Sequence, residues 1–133
     1  FEANGFSMGN HRLVVMDVFD YFKYAKKKGL SYDLIVIDPP SFARNKKRTF
    51  SANKDYHKLI AQSLDILSEH GTIIASTNAA NMTVQQFKKQ LRKGLGDVSA
   101  DFVNLQQLPA DFTVNPNDPT SNYLKVYTIK VNK

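Results

Sequence analysis

The stretch Leu34-Ile35-Val36-Ile37-Asp38-Pro39-Pro40-Ser41-Phe42 decides how this chain is read. Four consecutive aliphatic residues suit a parallel strand buried on both faces. The strand stops at an acid and two prolines. Each proline fixes φ and removes a backbone donor, so neither a ladder nor a helix continues there. The product is a rigid turn at the carboxyl end of a central strand, where open α/β sheets bind their ligands. Asp38 brings a carboxylate, Pro39 and Pro40 bring exposed carbonyls, and Phe42 brings an aromatic ring. That set can hold a planar, hydrogen-bonding molecule such as a nucleobase.

Outward from this turn, strands alternate with helices. Arg12 to Met16 reads as a short buried strand ending at Asp17, and Val18 to Lys28 as a helix stopped by Gly29. Residues 41–52 read as a polar, basic loop. Lys54 to Glu69 reads as a helix, because Tyr56, Leu59, Ile60, Leu64 and Leu67 recur at helical spacing. Thr72 to Ser76 is the next strand. Thr83 and Gln86 match a capping box that opens another helix, with Val84, Phe87 and Leu91 as its stripe. Asp101 to Gln107 and Tyr123 to Val131 read as strands joined without a helix, hence as an antiparallel hairpin. The pattern predicts one α/β domain with a doubly wound, Rossmann-like, mostly parallel sheet.

With 133 residues the chain suits a single core. No apolar run reaches the roughly 18 residues of a membrane span. The sequence contains no cysteine, which removes disulfides, thiolate metal sites and cysteine nucleophiles from this stretch and fits a cytoplasmic setting. The formal net charge of +6 fits a polyanionic partner. Lys26 to Lys28, and Lys88, Lys89, Arg92 and Lys93, fall on predicted helices, where a solvated face and dipole compensation explain them. Arg44, Lys46, Lys47 and Arg48 instead adjoin the ligand edge, where they are placed to contact phosphates.

Asp17 ends one strand as Asp38 ends another, so the two acids can share one crevice. Asp17 is also placed to cap the helix that starts at Val18. Thr77-Asn78 follows the Thr72–Ser76 strand and so falls on the same edge, offering hydroxyl and amide groups. His11, His57 and His70 show no metal-ligand spacing, and Ser41 and Ser76 lack the partners of a hydrolase triad. None of the six glycines makes a phosphate-binding turn after a strand.

These residues together resemble a known family. Asp38 to Lys46 looks like the catalytic loop of S-adenosylmethionine-dependent class I methyltransferases. More narrowly, it is similar to bacterial large-subunit rRNA methyltransferases of the RlmI and RlmK kind. Val15-Met16-Asp17-Val18-Phe19, Asp55-Tyr56, Gly71 to Asn78 and Leu108 to Phe112 continue the match. The resemblance implies S-adenosylmethionine as cofactor, with Asp17, Val18, Phe19 and Asp38 on the donor side. It implies that Asp38, Pro39, Pro40 and Phe42 hold the base: Asp38 and the Pro39 carbonyl orient its edge, and Phe42 stacks on its face. Arg44, Lys46, Lys47, Arg48, Thr77 and Asn78 would then contact the RNA.

Measured against that family, residues 1–133 look like the carboxyl-terminal part of one catalytic domain. The family's Gly-rich donor loop and the acid that holds the ribose would precede Phe1. Strands of that earlier segment would lie between Arg12–Met16 and Tyr32–Ile37. Without them, Tyr32–Ile37 is expected to keep an open apolar edge, with the first strand displaced, repaired onto it, or swapped into a homodimer. Cytosine-C5 methylation needs a cysteine thiolate, which the family carries on a strand-end loop. Thr77-Asn78 stands there instead, nearer the guanine-N7 branch. The resemblance thus implies methylation of a large-subunit rRNA base, with guanine N7 favoured. The alternatives are a cytosine-C5 homologue lacking its nucleophile and a non-catalytic RNA-binding fragment.

Overall fold

The computed structural model describes residues 2–9, 11–46 and 48–133. The chain runs α1 (Val18–Lys27), β1 (Tyr32–Ile37), β2 (Phe42–Arg44), β3 (Thr49–Ser51), α2 (Ala52–Leu64), β4 (Leu67–Thr77), α3 (Val84–Leu95), β5 (Ser99–Gln106) and β6 (Lys125–Asn132). The main sheet has the order β1-β4-β6-β5. β1 and β4 are parallel, and β6 is antiparallel to both β4 and β5. Three of four strands therefore point one way, with an antiparallel pair at the carboxyl end, as the sequence predicts.

Local chemistry sets the helix ends. Asp17 Oδ1 accepts from the backbone N–H groups of Phe19 and Asp20, at 3.0 and 3.3 Å, satisfying two donors at the start of α1. Gly29, at φ +63°, supplies the left-handed residue just after the helix. The predicted capping box of α3 is formed in both directions. Thr83 N–H donates to Gln86 Oε1 and Gln86 N–H donates to Thr83 Oγ1.

Strand alternation divides the sheet into two faces. Ile35 and Ile37 of β1 pair with Ile73 and Ala75 of β4, and Tyr127, Ile129 and Val131 of β6 continue that face. α2 and α3 cover it, with Tyr56, Leu59, Ile60, Phe87 and Leu91 all fully buried. Phe87 packs edge-on against Tyr56 and near Tyr127, which in turn meets Phe102 of β5. The two helices approach closely at Gly94, where an added Cβ would lie 2.6 Å from the His57 carbonyl oxygen.

The structure corrects four expectations. Residues 11–16 form no strand and are exposed. No strand of the described sheets lies beside them, and without a ladder an apolar segment is not held extended. β1 is not buried on both faces. Leu34 and Val36 are 53% and 62% exposed, because both helices that cover the sheet lie on its other side. Its outer edge has no strand partner among the described residues, as expected. The basic loop is a small hairpin, with Phe42↔Ser51, Ala43↔Phe50 and Arg44↔Thr49 paired. Finally, α2 ends at Leu64, and Leu67–Glu69 belong to β4. The pairing Tyr32↔Leu67 overrides the helical spacing there.

Candidate active site at the strand-end loops

β1 and β4 run side by side, so their carboxyl ends deliver two loops to one edge. Asp38 follows β1, and Asn78 follows β4. Ser76 Oγ donates to Asp38 Oδ1, and Ser41 Oγ donates to Asn78 Oδ1 at 2.8 Å. The two hydrogen bonds cross in opposite senses and lock the loops together. Asp38 and Asn78 are both exposed. Asp38 Oδ2 has no hydrogen-bond partner among the described residues.

Beneath these loops lies Tyr56. Its ring is fully buried, and its hydroxyl is 3.0 Å from the Ile37 carbonyl oxygen and 2.8 Å from that of Ser76. The single proton is shared between the last carbonyl of β1 and the penultimate carbonyl of β4. Burial, then the neighbouring Asp38 charge, raises the Tyr56 pKa well above its ordinary value. Tyr56 therefore remains a donor throughout the physiological range.

On the other side of the prolines, the β2–β3 hairpin closes over the start of α1. Asn45 Nδ2 donates to Asp17 Oδ2 at 2.7 Å. Arg48 lies 3.2 Å from Asp20 Oδ1, 3.7 Å from Asp17 Oδ1, and 4.8 Å above the Phe19 ring. A cleft of about 150 Å³ opens here, lined by Asp17, Phe19, Pro39, Pro40, Arg44 and Phe50 among others. That is below the roughly 300–1,000 Å³ of a site for a whole small molecule. A second cleft of about 480 Å³ shares Val18, Pro39, Pro40 and Leu59 with the first and extends along the open edge of β1 past Asp38.

The predicted residues separate into groups. Asp38, Pro39, Pro40, Phe42 and Asn78 gather at one edge, and Asp17, Val18 and Phe19 sit across the prolines from them. Phe42 is 62% exposed, an open aromatic face beside the loops. Arg44 and Lys46 are exposed on the hairpin. Arg48 is turned inward to the Asp17–Asp20 pair. Lys47 lies outside the described residues. Thr77 is fully buried, and its hydroxyl oxygen accepts from the Ala79 N–H at 3.3 Å, so its side chain serves the turn and not the exposed edge. The sequence reading passed over three contributors: Ser76, Tyr56 and Asn45. Tyr56 carried a signal, since a tyrosine on a fully apolar stripe needs a buried partner for its hydroxyl.

Residues 1–126 match the model of a family described as S-adenosylmethionine-dependent methyltransferase. The chain belongs to that family. Among curated methyltransferases, it is 42% identical over 132 residues to YwbD of Bacillus subtilis (strain 168), whose name assigns it provisionally as a ribosomal RNA large subunit methyltransferase. That match covers 98% of this chain and 33% of YwbD. It is 32% identical to ribosomal RNA large subunit methyltransferase K of Neisseria meningitidis serogroup B (strain ATCC BAA-335 / MC58), over 84% of this chain and 30% of that protein. Among solved methyltransferase structures, the crystal structure of SMU.776 complexed with SAH superposes with a TM-score of 0.95 at 69% identity, over 98% of this chain and 34% of the other. The chain thus spans about a third of the length of the relatives it matches.

Proposed function

We propose that this chain forms the base-holding side of a methyltransferase that uses S-adenosylmethionine to methylate a base of large-subunit rRNA. The observation that carries the reading is the pair of interlocked loops. They hold one carboxylate oxygen of Asp38, the Asn78 amide and the Phe42 ring at one exposed edge, beside a basic hairpin. The family and the names of the relatives support the same reading.

The residues present fit part of the donor. Asp17 and Phe19 line a cleft for one flat ring, as an adenine requires, and the longer cleft beside Asp38 leads from it. The remainder of a donor site is expected from elements that the relatives carry in their other two thirds. When bound, S-adenosylmethionine supplies an electrophilic methyl group. Asp38 Oδ2 and the Pro39 carbonyl accept hydrogen bonds from the base edge and fix its angle of approach. Phe42 stacks on the face of a base that has left its helical stack. Arg44 and Lys46 hold flanking phosphates.

Guanine N7 is the favoured target. A ring nitrogen attacks through its own lone pair, so the protein needs only orientation and a dry pocket. Attack at cytosine C5 needs a covalent nucleophile, and the sequence has no cysteine to provide one. A second copy adding at the open edge of β1 is the association this surface favours.

The test is transfer of labelled methyl from S-adenosylmethionine to unmodified large-subunit rRNA by the protein as made in the cell. Nucleosides are then identified by mass spectrometry. Expected is 7-methylguanosine. Recovery of 5-methylcytidine would overturn the nitrogen target, and no incorporation would overturn the enzymatic reading in favour of an RNA-binding role.

A further inference from the structure

Lys125 is the first residue of β6, opposite Thr77 at the end of β4. It is 3% exposed. Lysine is almost never buried without a partner that offsets the loss of water. No acid pairs with it among the described residues. Its ammonium instead donates to the carbonyl oxygens of Ala79 at 2.9 Å and Tyr123 at 2.8 Å. Burial alone lowers its pKa. A charge held this way is expensive, and a methionine of similar length would fill the space without that expense.

What the charge achieves is seen at Ala79. The Ala79 N–H is held by Thr77 Oγ1, and its carbonyl oxygen accepts both from Lys125 and from the Met82 N–H at 3.1 Å. Ala79 is thereby fixed at both of its backbone polar groups. Asn78, its immediate neighbour, is exposed and carries the hydrogen bond to Ser41 in the proline loop. A continuous series therefore runs from Lys125 through Ala79 and Asn78 to Ser41 and the Asp38 turn. We infer that Lys125 is a positioning residue for methyl transfer: from inside the fold, it sets the Asn78 loop against the Asp38 loop.

This inference rests on the proposed function, and the experiment separates the two. Lys125→Met keeps the length and removes the donors. Made in the protein as it exists in the cell, it is expected to lower kcat at least tenfold, with KM for S-adenosylmethionine within about twofold of the parent. In an Asn78→Ala background the same change should have little further effect on kcat, because the series is already cut. Amide hydrogen exchange at residues 78–80 should quicken in Lys125→Met, a readout independent of activity. Should the parent protein transfer no methyl group, the proposed function and the catalytic part of this inference fall together, while the exchange result still decides whether Lys125 sets the Asn78 loop. If Lys125→Met does not fold, Lys125→Gln, which retains two uncharged N–H donors, takes its place with an intermediate loss of kcat expected. A folded variant with unchanged kcat and unchanged exchange at 78–80, or a loss of kcat that adds fully to that of Asn78→Ala, would overturn the inference.

Discussion

The two faces of the sheet differ more than any two elements do. On one face, Ile73, Ala75, Ile129 and Val131 lie at zero exposure under α2 and α3. On the other, the described residues provide no such cover. That second face is graded. At β6 it presents Val126, Thr128 and Lys130, a mostly polar row suited to water. At β1 it presents Leu34 and Val36, which are apolar and exposed. The polar end looks complete as it stands. The apolar end has the composition of a surface made to be covered, as parallel strands usually are. The loops of the candidate site rise at the boundary, with Tyr56 anchoring them from the sealed face and the longer cleft running along the open edge of β1.

Three substitutions probe that contrast. Phe87→Ala opens a cavity at the centre of the sealed face. It should cost about 3–5 kcal/mol in urea denaturation, the range for a buried aromatic. A loss below about 1 kcal/mol would mean that α3 does not pack as described. Tyr56→Phe keeps the ring but removes the shared proton from two strand-end carbonyls. The expected stability loss is about 1–3 kcal/mol, accompanied by a disproportionate fall in methyl transfer, since the Asp38 and Ser76 turns lose their common anchor. Equal activity in that variant would show that the loops hold themselves. Val36→Thr, on the bare face, should change stability by no more than about 0.5 kcal/mol. A cost above about 1 kcal/mol would reveal a cover over Val36 in solution and end the contrast.

The elements most legible in the sequence were those whose signals are local. Asp17, Gly29 and the Thr83–Gln86 box fix helix ends through contacts within a few residues, and all three formed as read. The turn at Asp38 was legible because proline acts on its own backbone. Partnership was not legible. Arg12–Met16 has the composition of a strand, but a strand requires a neighbour. Leu67 continues the spacing of α2, yet pairs with Tyr32. The hairpin strands are three residues each, too short to show alternation. Within the site, the acids, the aromatic and the basic cluster stood out by type. The pairing of Arg48 with Asp17 and Asp20 was not legible, because it spans 28 residues or more. Lys125 was invisible, since a lysine in an alternating strand reads as a solvent position.

The bulge in β5 has a consequence for assembly. Register against β6 slips between Phe102 and Asn104, so the outer rim of β5 is kinked and does not present an even row of donors and acceptors. At the opposite rim the irregularity against β4 falls between Tyr32 and Leu34, and Leu34 to Ile37 keep regular register with Thr72 to Ala75. One border of the sheet is therefore interrupted within its strand, and the other is regular over its last four residues. A strand laid along β1 would meet four residues in regular register, whereas one laid along β5 would meet a row broken at Val103.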